Sequence, residues 1–215
     1  MRKLLMTIIL LVTFSALVHA GFFGDSVDLA DLAQLSQKGL EDLKDSEFEV
    51  FLAQVRLAGA KDDLKKANGE LKAVKKILSS QKSDLKATEA EVKAAKEIQD
   101  KERFTRAESA LQKSQEAYTT AELNVAWKAQ EVKARKASVE KAELELDVAE
   151  IQRDLARVAQ LVSEKIPAAQ KYSAENLEKN LKKKQKDLTK AKRDEEREIW
   201  EANKSKEDYE RKTKE

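Results

Sequence analysis

An apolar residue stands at every seventh position from Leu43 to Val92: Leu43, Val50, Leu57, Leu64, Leu71, Leu78, Leu85 and Val92. Three residues after each comes a mostly small one, in the series Ser46, Ala53, Ala60, Ala67, Val74, Gln81, Thr88 and Ala95. A strand repeats every two residues and a free helix every 3.6, so a strict period of seven specifies a helix that keeps one narrow stripe against a partner by left-handed supercoiling. The small residues let that partner come close. With 38% charged and 5% aromatic residues and a single proline, Pro167, the chain has too little apolar material for one compact centre. Its stability has to come from many thin repeated layers, or from association with another chain.

A second heptad run follows in its own phase: Phe104, Leu111, Tyr118, Val125, Val132, Val139 and Leu146. Twelve residues separate Val92 from Phe104, which breaks the register. Either one very long helix changes phase there, or the chain reverses. Reversal is favoured, because the two runs have matching lengths and pair layer by layer from Val92 with Phe104 to Val50 with Leu146, every pair of numbers adding to 196. The expected fold is therefore all-α: an elongated antiparallel coiled-coil hairpin over residues 43–166, with a turn near 97–102 and arms of about 80 Å at about 1.5 Å per residue. That turn holds neither Gly nor Pro.

The flanking segments extend this plan. Residues 21–42 predict a short amphipathic lead helix, capped by Asp25 and Ser26, greasy along Leu29, Leu32, Leu35 and Leu40, and stopped at Gly39. It either covers the last apolar layer of the hairpin or makes a membrane or partner contact through Phe22 and Phe23. Ser46 and Glu49 have the spacing of a capping box for the first long helix, and Gly59 and Gly69 lie off its seam at a cost of about 1 kcal/mol each. After Leu146 the stripe rotates to Leu144, Val148, Ile151, Leu155, Val158 and Val162. Pro167 then opens a charged third helix, residues 167–215, whose weak seam (Ala174, Leu181, Leu188, Glu195, Ala202, Tyr209, with Leu177 and Ala191) also carries Lys184 and Glu198. That helix is either docked or free. If docked, Trp200 should come level with Trp127 to Val132, and Trp127 is either buried under it or part of a partner surface.

Arg2 and Lys3, the apolar run 4–18 and Val18-His19-Ala20 read as a cleaved export signal over residues 1–20, which predicts a periplasmic or secreted protein. Without Cys there is no disulfide and no lipid-anchoring thiol. Removing Arg2 and Lys3 from the 42 bases leaves 40 against 40 acids, so the precursor's slight positive charge is no argument for nucleic acid. From Lys165 onward there are 16 bases and 12 acids. The densest basic run, Lys179, Lys182, Lys183, Lys184, Lys186, Lys190, Lys192 and Arg193, is either a solvated face or a contact for membrane headgroups or cell-wall polymers. It lacks the interleaved aromatics that stack on bases.

Chemistry has few footholds here. After residue 20 the chain holds no His or Cys, and it has no Gly-rich phosphate loop. Glu195, Glu196 and Glu198 are spaced poorly for a cation cage. No catalytic residue, metal or cofactor is expected. The Ala/Leu heptads with Lys and Glu between them, as in residues 57–64 and 142–149, resemble the α-helical hairpins of periplasmic efflux adaptors and outer-membrane channel proteins, a likeness of composition over residues 43–162. The flanking residues do not read as the lipoyl and β-barrel modules of adaptors, so no function is carried over. The chain is also similar in size to a trimeric periplasmic chaperone with helical tentacles. Two functions remain: a non-catalytic coiled-coil spacer, adaptor or assembly partner in the cell envelope, or a holdase-like or lipid-surface binder. The candidate partner surface comprises Phe22, Phe23, Trp127, Trp200, Lys182, Lys183 and Lys184.

Overall fold

The structure, a computed structural model, describes residues 26–214. The expected export signal, Phe22, Phe23 and the Asp25 cap lie outside the described residues. Two short helices, α1 (Leu29–Leu32) and α2 (Gln37–Asp42), precede two long ones, α3 (Lys44–Glu97) and α4 (Lys101–Ser163). A 3₁₀ turn (Pro167–Lys171) leads to α5 (Ala174–Lys214). No strand occurs among the described residues. α3 and α4 pack together with α5 as a third helix, an all-α helical hairpin. The described residues divide into two compact units, one made of 26–48 with 150–180, the other of 49–149 with 181–214.

In the second unit the heptads decide what is covered. From Leu57 to the end of α3, the residues withdrawn from solvent are Leu57, Ala60, Leu64, Ala67, Leu71, Val74, Leu78, Gln81, Leu85, Thr88, Val92 and Ala95, and no others. These are the two series read from the sequence. Most are half-buried, as a seam one residue wide between two helices requires. Each half-covered leucine contributes on the order of 1 kcal/mol, so the hairpin depends on repetition. Gly59 and Gly69 face open space.

The reversal falls at residues 98–100, inside the expected stretch. Asp100 supplies the stop-and-start signal that Gly or Pro would have given: its carboxylate accepts from the Arg103 backbone N–H at 3.0 Å, and its carbonyl from that of Phe104 at 2.9 Å. Gln99 takes the left-handed conformation there, at φ 55°. Across the arms Lys128 meets Glu70 at 2.6 Å and Arg135 meets Asp63 at 3.8 Å, both pairs symmetric about residue 99. The centre is thus one residue later than expected. The outermost expected layer does form, with Val50 and Ala53 packed against Leu146 and Ala149.

α5 is docked. From about residue 123 onward α4 has a second covered line, Asn124, Trp127, Glu131, Ala134, Ser138, Lys141, Glu145 and Val148, which faces the seam of α5. Tyr209 stacks on Trp127 with ring centroids 5.4 Å apart, and the charged seam residues pair, Lys141 with Glu195 at 2.7 Å and Lys184 with Asp147 at 2.6 Å. Trp127 is therefore level with Tyr209 rather than with Trp200: Trp127/Tyr209 and Lys141/Glu195 both centre the return on residue 168, and Trp127 lies 41 residues before that point while Trp200 lies only 32 after it.

The first unit departs most from expectation. The lead is two helices, broken at residues 33–36, each with its own N-cap: Asp28 accepts from the Ala30 N–H and Ser36 from that of Gly39. α3 already begins at Lys44, so Ser46 lies inside it and its hydroxyl donates to the Leu43 carbonyl instead of capping. Gly39 does not stop a helix; it sits within α2, where a Cβ would collide with the Glu164 carboxylate. α4 ends in a Schellman turn with Lys165 at φ 56°, its N–H donating to Val162 O at 3.0 Å and that of Ile166 to Leu161 O at 2.9 Å. That turn buries Leu161 completely and leaves Val162 60% exposed, so Leu161 ends the rotated stripe in place of Val162. Val27, Leu32, Leu35, Leu43, Ile151 and Val158 complete this core.

A non-glycine residue in the left-handed region costs about 1–2 kcal/mol, part of which the entropy of a glycine offsets. Gln99→Gly should therefore stabilise the chain by about 0.5–1 kcal/mol, measured as a higher urea midpoint. A lower midpoint would contradict the turn.

Candidate functional site

Polar side chains gather in two kinds of place, ties inside the first unit and one outward face in the second. In the first unit Asp31, almost fully covered, accepts from the Tyr172 hydroxyl at 2.7 Å and from Lys171 Nζ at 3.1 Å, while the Tyr172 oxygen accepts from the Asp28 N–H at 2.9 Å. The Tyr172 hydroxyl and the Lys171 ammonium hold the Asp31 carboxyl below its ordinary range. Burial, opposed by the Asp28 N–H, pushes the Tyr172 phenol up.

Glu164 closes a second tie. Its carboxylate accepts from the Ser36 N–H at 2.8 Å and the Ser36 hydroxyl at 2.7 Å, which lowers its pKa. Ser36 in turn caps α2. Arg157 is buried and bridges two acids, donating through Nε to Glu47 at 2.8 Å and through an Nη to buried Asp154 at 3.3 Å. Burial pulls the guanidinium below its ordinary value, but it stays charged because both carboxylates face it. These groups fasten α1, α2 and the start of α3 to α4 and the 3₁₀ turn.

In the second unit burial works against charge on Glu195, but hydrogen bonds from Lys141 and Ser138 outweigh it and the pKa is lowered. Lys128 is likewise desolvated, yet Glu131 and Glu70 keep its pKa raised, and its ammonium lies 4.1 Å from the Trp127 ring centre. Of the sequence candidates, Trp127 is half-buried under Tyr209, and Lys184 is held by Asp147. Lys182 and Lys183 are exposed on the outer side of α5, and Trp200 is 58% exposed with Lys204 Nζ 5.2 Å from its ring centre. The structure thus separates Trp127 and Lys184, which hold α5 in place, from Lys182, Lys183 and Trp200, which face solvent.

Among the described residues no group of three or more acidic or histidine side chains converges to hold a metal ion. Glu195 and Glu198 are engaged separately, with Lys141 and Arg197. The furrow beside Asn68, Leu71, Lys72, Lys75, Lys76 and Ser79 runs along one flank of α3 and is open. No described helix is long and apolar enough to cross a membrane. Set against family models, curated proteins and solved structures, the chain matches none.

The ties of the first unit fix a pH dependence. Asp31 and Glu164 both have folded pKa values below the ordinary 3.8 and 4.5, so their contribution is complete above those values and is lost as pH falls through the lower folded ones. The melting temperature should drop from about pH 4.5 downward, and Asp31→Asn should flatten that drop while lowering the melting temperature at pH 7. An acid dependence equally steep in the variant would contradict the Asp31 contribution.

Proposed function

We propose that the chain is a non-catalytic coiled-coil protein of the cell envelope, exported to the periplasm or secreted, that acts as a spacer, adaptor or assembly partner. The observation that carries this is the use made of apolar residues in α3. Over 41 residues from Leu57, every covered side chain holds helix to helix and every other position is exposed. A protein that turns over a small substrate needs an enclosed pocket with convergent polar groups. This one invests its sequence in length, about 80 Å for the 54 residues of α3 and about 95 Å for the 63 of α4. Its chemistry after residue 20, without His or Cys, agrees. The basic start, apolar run and Val18-His19-Ala20 support export.

Residues such as Ser83 and Ala87 lie on the outward side of α3, small and exposed. A photo-crosslinking amino acid placed at either position in the producing cell should yield a discrete adduct of the same added mass at both, and the chain should be recovered outside the cytoplasm beginning at Gly21. A chain kept in the cytoplasm with residues 1–20 attached would contradict export. Absence of any intermolecular adduct at both positions would contradict the scaffold.

A further inference from the structure

The outward face of α5 carries the densest run of bases in the chain. Lys183, Lys186, Lys190, Arg193, Arg197, Trp200 and Lys204 follow one another at alternating spacings of three and four, which sets them in one straight line opposite the docked seam, and all are exposed. The line covers about 32 Å. Residues 181–193 hold seven bases and one acid, and Lys182 and Lys192 widen the positive strip to either side, whereas residues 194–204 hold two bases and five acids and Arg197 there is paired with Asp194 and Glu198. Some exposed cations elsewhere pair with acids one turn away, as in Lys66 with Asp62 or Arg106 with Glu102, while among the described residues the smaller group Lys72, Lys75 and Lys76 on α3 does not. Here Lys182/Lys186, Lys186/Lys190 and Arg193/Arg197 set like charges four apart, an arrangement that weakens a helix. Among the described residues Lys183, Lys186, Lys190 and Arg193 have no ion pair.

An ordinary solvated face gains nothing from such repulsion, whereas a face that meets a negatively charged surface does. The end of the line is telling. Trp200 and its neighbour Ile199 are 58% and 43% exposed, although α5 has a buried side available to apolar residues. Lys204 lies over the Trp200 ring, its Nζ 5.2 Å from the ring centre, so a cation accompanies the exposed indole. A positive strip over residues 182–193, with an exposed indole two turns further along the same line, matches an anionic bilayer surface, where lysines meet headgroups and tryptophan sits at the boundary with the acyl chains. A protein groove would instead call for a central apolar anchor ringed by polar groups. We infer that the outward face of α5, from Lys182 to Lys204, is a docking surface for anionic lipid headgroups. It leaves the seam with α4 undisturbed, so the chain lies on the membrane without unfolding. This contact does not depend on what partner α3 carries.

The test uses the full chain with vesicles of phosphatidylglycerol and of phosphatidylcholine. The readout is the difference in partition between the two lipids, so that any contribution of the apolar residues 4–18 is common to every variant. The chain should prefer the anionic vesicles and lose that preference as salt screens the charges. Replacing Lys183, Lys186, Lys190 and Arg193 by Gln should weaken anionic partition by about 100-fold or more at unchanged helicity, since each cation near such a surface carries about a fivefold effect. The same number of replacements at Lys65, Lys72, Lys75 and Lys76 on α3 removes equal charge and should weaken it far less. In a Trp127→Phe background the remaining Trp200 should be quenched by brominated anionic lipid. Equal loss from both sets of replacements, no preference for anionic lipid, an unquenched Trp200, or binding to a soluble polyanion without binding to vesicles would each overturn the inference.

Discussion

Everything in this molecule follows from a seam one residue wide having to be covered along its whole length. A two-helix seam buries each leucine only in part, and each layer adds on the order of 1 kcal/mol. Such a seam holds only if no layer is skipped, because a break in phase turns the next leucine to solvent. The reversal at residues 98–100 meets that demand, returning the second run in step with the first. Symmetry about residue 99 puts Lys128 opposite Glu70 and Arg135 opposite Asp63, so charge along the flanks reinforces the register that the apolar layers set. Exposed pairs of this kind add little stability, but like charges in those places would oppose this pairing.

The third helix is attached by another principle. Its seam and the facing line of α4 mix apolar with polar positions, and Lys141 with Glu195 and Lys184 with Asp147 complete what leucines begin. Partly buried ion pairs are weak sources of stability but strong determinants of position, since either partner misplaced would leave a desolvated charge. The stack of Trp127 on Tyr209 fixes the same register by shape. The outward side of α5 is thereby free to carry charges that serve no internal purpose.

The hairpin was legible because its period is carried by residues of one kind. Leu57 to Val92 and Phe104 to Leu146 are read directly from spacing, and the same spacing places the turn. The α4 line toward α5 was not legible, because Asn124, Glu131, Ser138, Lys141 and Glu145 occupy five of its eight positions and interrupt any hydrophobic period. Nor were the ties of the first unit, where Asp31 meets Tyr172 and Ser36 meets Glu164 across more than 120 residues of sequence. One hint was available: a glycine amid helix formers, as at Gly39, marks either a stop or a close approach, and here the Glu164 carboxylate is what approaches. The choice of Leu161 over Val162 as the buried residue rests on the left-handed turn at Lys165, which sequence spacing alone does not reveal.

Because the chain has no cysteine of its own, a pair introduced at Asp63 and Arg135 can be spin-labelled without ambiguity. These positions are 72 residues apart in sequence and in contact across the hairpin. Electron-electron distance measurements on the monomer, diluted with unlabelled protein, should give one narrow distribution below about 30 Å, whereas a single continuous helix would put the labels about 108 Å apart. A short distance supports the zipped arms. Labels too far apart to couple, or coupling that vanishes on dilution with unlabelled chain, would contradict them.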